Sequence, residues 1–399
     1  MKRKAVKLTA VLLCIAGMNA VNGQSTEPIN VVTTAVPFLR ISPDARAGGM
    51  GDLGLATSPD ANSSFWNLAK TPFATSNFSA GLTYTPWLKD LGLNDVYLLA
   101  LAGYYKLDDL QALSASVRYF SLGNIQFTNG NGDYYGDGRP REFGVDFGYS
   151  RKLSDRIGIG LALRYIRSNL AGNLAQQGTS YKPGNSVAGD LSFFYSGIKE
   201  SGEGWNFGAT LTNLGTKIGY TNDVTQKDYI PANLGIGTSY TKVFDENNKI
   251  QFGIDIHKLL VPTPPSLAND GSTEDSIKIV NYRSKGLVSS WFSSFGDAPG
   301  GFKEELKEFQ FSVGAEYAYN DQFFVRAGYF FEDKTKGNRK YFTLGLGIKY
   351  NVFGLNFSYL VPSGAGVNRN PLSNTLRFGL IFDLDDIDGG GDSGSGGGN

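Results

Sequence analysis

From Phe309 to Tyr319 every odd position is apolar (Phe309, Phe311, Val313, Ala315, Tyr317, Tyr319) and every even one polar or small, including Ser312, Gly314 and Glu316. A strand sends alternate side chains to opposite faces, so this segment predicts a strand with one apolar face. The same dyad recurs in Ile157, Ile159, Leu161, Leu163 and Tyr165, in Phe353, Leu355, Phe357 and Tyr359, and in Leu376, Phe378, Leu380 and Phe382. Read throughout, it predicts strands near 76–85, 94–106, 111–121, 140–152, 155–168, 186–198, 203–213, 231–243, 249–258, 309–320, 322–332, 340–350, 353–361 and 374–384. That is about fourteen strands, each near the ten residues a tilted strand needs to cross a bilayer.

The connections carry a second pattern. Short ones at 107–110, 153–154, 199–202, 244–248, 321 and 351–352 alternate with longer ones at 86–93, 122–139, 169–185, 214–230, 259–308, 333–339 and 362–373. Outer-membrane barrels have short periplasmic turns and long extracellular loops, so the pattern predicts an all-β, transmembrane antiparallel β-barrel in an outer membrane. An even strand count then puts both chain ends in the periplasm. A soluble sandwich or small barrel also alternates. Against it stand Arg118, Asp146, Arg164, Asp190, Asp255, Glu316, Arg326 and Lys349, which occupy mid-strand positions among glycines and serines, opposite the aromatic face. In the membrane reading they line the lumen. Near strand three, Val117 and Tyr119 keep one phase while Phe120 and Leu122 break it, which reads either as a kink opening the wall or as the strand's end.

Three regions fall outside the ladder. Residues 24–75 precede the first clear strand and read as an N-terminal hatch packed in the lumen. Residues 385–399, acidic and then Gly/Ser-rich, are too poor in apolar side chains to pack and read as a disordered tail. In the long connection 259–308, Ile277, Val280, Ser284, Leu287, Val288, Trp291 and Phe295 recur at near-helical spacing, and Phe302, Leu306 and Phe309 do so again. This predicts an amphipathic helix whose apolar stripe either packs on the barrel's own rim or docks another protein. Leu287, Val288, Trp291, Phe292 and Phe295 are the candidate partner anchors.

Composition narrows the chemistry. Residues 1–23 carry a basic start (Lys2, Arg3, Lys4), an apolar stretch and a small-residue site before Gln24, the order of a cleaved signal peptide. Cys14 is the sole cysteine, so the exported chain would have no disulfide and no thiolate metal ligand. The formal net charge of zero speaks against nucleic-acid binding. The sole histidine, His257, has no companions for a metal site or a nucleophilic triad, and reads as a satisfied or rim-exposed side chain. Asn129 to Asp137 has alternating oxygen ligands but lacks the glycine and glutamate of an EF-hand, and reads as a surface turn. No cofactor, metal or catalytic residue is expected. The mixed lumen charges leave two arrangements: a conducting channel, or charges that pair with each other and with the hatch to close it.

Pro43-Asp44-Ala45-Arg46-Ala47-Gly48-Gly49-Met50-Gly51 and Asn62-Ser63-Ser64-Phe65-Trp66-Asn67, ahead of the fourteen-strand pattern, resemble the PorV/PorQ family of type IX secretion proteins, its PorV (LptO) branch above all. That family is similar in turn to the FadL-like barrels, which have fourteen strands and a lumen hatch. The resemblance implies hatch roles for Phe38, Arg40, Asp44, Arg46, Trp66 and Asn67, with Asn67-Leu68-Ala69 where the family has Asn-Pro-Ala. It further implies a non-enzymatic shuttle that takes cargo from a Sov/SprA-type translocon by the cargo's C-terminal signal domain. The cargo then passes to the attachment complex of the PorU sortase with PorZ and PorQ, which joins it to lipopolysaccharide. A FadL-like transporter of a hydrophobic molecule is the alternative, and it requires an apolar pocket behind residues 38–66 and a gap in the wall. A diffusion porin is a third possibility.

Overall fold

A computed structural model describes residues 29–128, 130–171, 175–176, 179–223, 225–267, 272–361 and 374–384. The signal segment, the 385–399 tail and most of the connection after residue 361 lie outside these. Fourteen strands close into one antiparallel barrel, each hydrogen-bonded to its sequence neighbours and the last to the first. They are β1 (Phe78–Pro86), β2 (Val96–Lys106), β3 (Gln111–Leu122), β4 (Arg141–Lys152), β5 (Ile157–Asn169), β6 (Gly184–Ser196) and β7 (Gly204–Gly215). The other half is β8 (Asn233–Asp245), β9 (Asn248–Leu259), β10 (Gln310–Tyr319), β11 (Phe323–Phe331), β12 (Lys340–Tyr350), β13 (Phe353–Val361) and β14 (Leu376–Leu384). Every expected strand is present, with ends within two residues of those read from the alternation. No described helix is long and apolar enough to cross a membrane.

The two faces separate as the dyad requires. Leu101, Phe147, Leu161, Leu163, Leu344, Leu346 and Leu355 point outward and are exposed, forming a lipid-facing belt. Arg118, Asp146, Arg164, Asp190, Asp255, Glu316 and Arg326 are buried in the lumen. Lys349 departs from this expectation. It sits at the short-turn end of β12, half-exposed, where it pairs with Asp383 at 2.6 Å.

Strand three also departs from the reading. β3 holds an unbroken register against β2 and β4 as far as Leu122 and Ser121. Phe120 keeps the inward phase of Ser116 and Arg118, and it is apolar because the lumen at the long-loop end is apolar. There Val36, Phe38, Leu39, Leu98, Phe120 and Ile166 form one cluster, with Trp87 edge-on to Phe120. Wall irregularities lie instead between β6 and β7, where the register shifts beyond Gly189 and Asn213 adopts a left-handed backbone (φ 57°), and between β8 and β9 at Val243 and Asp245.

The hatch runs from one end of the lumen to the other. Asn30 donates its backbone N–H to Thr335 and its side-chain amide to the Pro264 carbonyl, both in long connections. Phe73, at the far end of the hatch, packs against Phe194 near the short turns. The described chain therefore starts at the long-loop rim and ends at the short-turn rim with Leu384. The two chain ends, expected on the periplasmic side, lie outside the described residues; within these, the hatch crosses the lumen once.

Inward-facing glycines on three neighbouring strands admit the hatch backbone. A Cβ on Gly328 would lie 2.0 Å from the Met50 carbonyl carbon, and one on Gly314 would lie 2.3 Å from the Met50 oxygen. One on Gly345 would lie 3.0 Å from Gly49 Cα. Gly51 turns the chain here with φ 71°, a conformation that suits glycine. Gly328→Val is expected to unseat the turn at about 1–3 kcal/mol or more, the usual cost of overpacking. Heat-modifiable gel mobility should show the variant unfolding at lower temperature than wild type. An unchanged transition would mean that the turn can shift without loss.

Candidate functional site

Two parts of the molecule carry candidate function: the lumen, where the hatch decides whether the barrel is open, and the rim on the long-loop side.

In the lumen, charges pair locally. Arg46, on the four-residue helix α1 (Ala45–Gly48), reaches Glu316 on β10 through Nε at 2.9 Å and Nη2 at 2.8 Å, and Asp60 through Nη1 at 2.9 Å. Glu316 also accepts from Arg326 Nε on β11 at 2.6 Å. Across the lumen, Arg164 bridges Asp146 and Asp190. Asp255 accepts the backbone N–H groups of Gly54 and Leu55 at 2.7 and 2.9 Å. Arg46, Glu316, Arg326, Arg164, Asp146 and Asp190 thus compensate one another's charge, as charged groups removed from water must, while Asp255 takes backbone donors.

The hatch residues make specific contacts. Asp44 caps α1 by accepting from Ala47 N–H at 2.8 Å, and it also accepts from the Trp66 indole at the end of α2 (Ser63–Trp66). Asn67 accepts from Ala69 N–H at 3.1 Å and donates to the carbonyls of Leu55 and Phe193, both at 2.9 Å. The turn after Asn67 thus forms with Leu68 in the place of a proline. Phe38 is fully buried in the apolar end of the lumen, and Arg40 pairs with Glu332 at 3.2 Å.

Lys70 is enclosed and donates to the Gly54 carbonyl at 2.7 Å and to Thr57 Oγ1 at 3.2 Å. Burial lowers its ammonium pKa from 10.5 to about 8. The unfolded chain therefore binds this proton more readily, so the group's penalty is full below pH 8 and fades as pH rises towards 10.5. The melting temperature of wild type should rise relative to Lys70→Met across that interval. A constant difference would show that Lys70 does not titrate there.

The rim is built by the 260–309 connection. In place of one long amphipathic helix it forms α3 (Thr273–Ser284), α4 (Leu287–Ser293) and α5 (Phe302–Leu306). The break falls at Lys285, whose backbone is extended (ψ 132°). Lys217 Nζ donates to the carbonyls of Arg283 and Lys285 at 2.6 and 2.8 Å, and the Tyr229 hydroxyl donates to those of Tyr282 and Lys285 at 3.0 and 3.1 Å. These donors satisfy and anchor the open end of α3. Tyr282 and Leu287 pack on a buried cluster of Val32, Tyr229, Leu259 and Val261.

A buried ionic network fixes the other end of the layer. Lys258 shares the outward phase of Phe252 and Ile254, yet only 1 % of its side chain is exposed, because the segment at 302–308 folds over it. Its Nζ lies 3.2 Å from Glu305 and 2.7 Å from Glu308, and Lys336 adds contacts of 2.6 Å to Glu304 and 2.9 Å to Glu308.

The apolar stripe divides between the two arrangements expected of it. Leu287 and Trp291 are half-buried, whereas Ile277, Val280, Val288, Phe292, Phe295, Phe302 and Leu306 are exposed, Phe292 by 76 % and Phe302 by 75 %. Among the five candidate anchors, Val288, Phe292 and Phe295 thus remain on the surface. Phe302 was not among them. Its helical spacing with Leu306 was visible, but the sequence did not tell which member of the stripe would stay uncovered.

Of the remaining sequence candidates, His257 faces the lumen, where its Nδ1 lies 3.1 Å from the Asn233 amide. In the Asn129–Asp137 stretch, Asn129 lies outside the described residues, and Tyr134–Gly138 pairs with Ile125–Thr128 as a small hairpin.

A closed fourteen-strand barrel with a lipid-facing belt and a hatch ion-paired into its lumen defines the class: an integral outer-membrane β-barrel. The chain belongs to the family described as Type IX secretion system protein PorV, whose model matches residues 24–266. The toluene transporter TbuX of Ralstonia pickettii shares the fold, with a TM-score of 0.52 and 14% identity over 86% of this chain and 98% of that one. The P. putida toluene transporter TodX aligns with a TM-score of 0.48 and 11% identity, over 86% and 99% of the two chains. A Pseudomonas aeruginosa FadL homologue aligns with a TM-score of 0.45 and 11% identity, over 89% and 99%. No curated protein sequence matches the chain.

Proposed function

We propose that this outer-membrane component of type IX secretion is a non-enzymatic shuttle. It binds the C-terminal signal domain of cargo leaving a Sov/SprA-type translocon and delivers it to the attachment complex of PorU, PorZ and PorQ, beside lipopolysaccharide. The long-loop rim faces the cell exterior, and the short turns and the end of β14 face the periplasm.

The observation that carries the reading is the apolar face of the loop layer. Phe292, Phe295, Val288 and Phe302 are exposed on a layer that Lys258, Lys336 and the Tyr229 hydroxyl hold to the barrel. Large exposed apolar surface on an anchored layer is what a protein-docking face requires. The filled lumen supports the same reading. Its cavity, about 120 Å³ in volume, has a mixed lining, with Arg118, Arg164, Asp190 and Asn213 beside Leu39, Phe65, Trp66 and Phe330, and every wall strand is paired to its neighbours. A transporter of a hydrophobic molecule needs the apolar pocket and the gap.

Phe292→Ala is expected to weaken binding of an isolated cargo signal domain by about tenfold or more, as loss of an interface hot spot does. The half-buried Trp291 should matter less directly. Binding measured on the detergent-solubilised barrel checks this, and equal affinities for wild type, Phe292→Ala and Phe302→Ala would move the cargo site elsewhere.

A further inference from the structure

A pocket of about 590 Å³ opens on the long-loop side, between the start of the hatch, the ends of β3 to β5, the 214–230 connection and α3. Ligand sites occupy roughly 300–1,000 Å³. Much of its wall is apolar, with Val36, Phe120, Leu122 and Ile279 among the lining side chains. Its charged lining residues are Glu142, Asp228 and Arg283. Asp228 and Arg283 sit partly exposed at the mouth and meet each other at 3.5 Å. Glu142 differs: it is only 2 % exposed, and among the described residues it has no cation within 4.0 Å. Its Oε1 accepts from Ser168 Oγ at 2.6 Å, and Ser168 accepts in turn from the Tyr220 hydroxyl at 2.9 Å. The second carboxylate oxygen has no donor among the described residues.

A buried carboxylate without a cation is costly, and one hydroxyl offsets only part of that cost. Two carboxylates against one guanidinium leave the lining with an excess negative charge, and the carboxylate without a counter-ion is the enclosed one. A cation on an apolar stem answers it, and the rings of Phe120, Tyr220, Tyr229 and Tyr282 in the same wall favour that cation further. The rest of the apolar wall takes the residues on either side of the stem. A fatty acid, by contrast, would bring its own carboxylate against Glu142 and be repelled.

Building on the docking role of the loop layer, of which α3 is part, we propose that this pocket receives a lysine or arginine side chain carried on an apolar stretch of the cargo signal domain, with the cation seated on Glu142. Phe292 and Phe302 then supply contact area, while the pocket selects for one basic residue.

Calorimetry on the full chain in detergent provides the test, with the acetylated and amidated pentapeptide Thr-Val-Lys-Val-Thr as probe and its counterpart carrying norleucine in place of lysine. Wild type is expected to prefer the lysine peptide by about tenfold or more, as a hydrogen bond to a charged group confers. Glu142→Gln, which can still accept from Ser168, should lose that preference, and Ile279→Trp, which fills the pocket, should bind the lysine peptide poorly. If Glu142→Gln does not assemble, the wild-type preference and its loss in Ile279→Trp decide. Equal binding of the two peptides to wild type, or an unchanged preference in Glu142→Gln, would overturn the proposal. An isolated cargo signal domain should also displace the lysine peptide. One that binds yet leaves the peptide in place would overturn the assignment of the pocket to cargo, whereas one that does not bind the barrel at all would defeat the docking role of the loop layer itself.

Discussion

Replacing Phe292 and Phe302 together by aspartate is expected to abolish cargo capture while leaving the barrel assembled in the membrane. Both rings are about three-quarters exposed and neither supports the buried cluster beneath the layer, which rests on Val32, Tyr229, Leu259 and Val261. Their loss therefore acts on binding and not on folding. Two aromatic hot spots at about 2 kcal/mol each correspond to a fall in affinity of roughly 10³, and charges placed at a desolvated contact add to it. The measurement is a pull-down of a signal domain with the variant, with heat-modifiable gel mobility confirming assembly. Undiminished capture by an assembled double variant would remove the loop layer from the binding face.

Glu316→Gln is expected to have the largest effect on the lumen. Glu316 is the sole carboxylate within 4.0 Å of Arg326 among the described residues and one of two for Arg46, and Arg46 is the link through which the hatch is ion-paired to β10. Neutralising it leaves two guanidiniums buried near each other. Breaking a buried pair in this way costs on the order of 3–5 kcal/mol. The hatch should loosen, with a lower melting temperature and the appearance of ion conductance in planar bilayers where wild type is silent. Adding Arg46→Met should recover part of the stability, because it removes one of the stranded charges. A silent, equally stable Glu316→Gln would show that the plug is held by its other contacts, such as Asp255 with Gly54 and Leu55.

How much of this was legible in the sequence follows from how local each signal is. The barrel wall was readable because lipid on one side and a polar lumen on the other impose a period of two over the length of each strand, and Glu316, Arg326, Arg164 and Asp146 all sit where that period put them. Their pairing was not readable. Arg46 meets Glu316 across 270 positions of sequence, a contact that only barrel closure creates. The misreadings gather at the rims, where the rule of faces changes. Phe120 looked like a phase break because the lumen turns apolar there, and Lys258 faces outward yet is covered by the loop layer. Helical spacing in 277–295 revealed helices but not the break at Lys285, since the donors that stabilise it, Lys217 and Tyr229, come from a different connection. The hatch motif 43–51 announced a packed segment, while its direction through the lumen depends on contacts such as Asn30 with Pro264 that no local pattern encodes.

The loop layer, on the outside of the cell, is proposed to be where cargo is held. A photoreactive amino acid placed at position 292 in intact cells tests it most directly, with a second at the lipid-facing position 346 as control. Crosslinks are expected from position 292 to the C-terminal signal domains of secreted cargo, and none to cargo from position 346. Equal crosslinking from both positions, or crosslinks from position 292 to lipid alone while secretion proceeds, would contradict it.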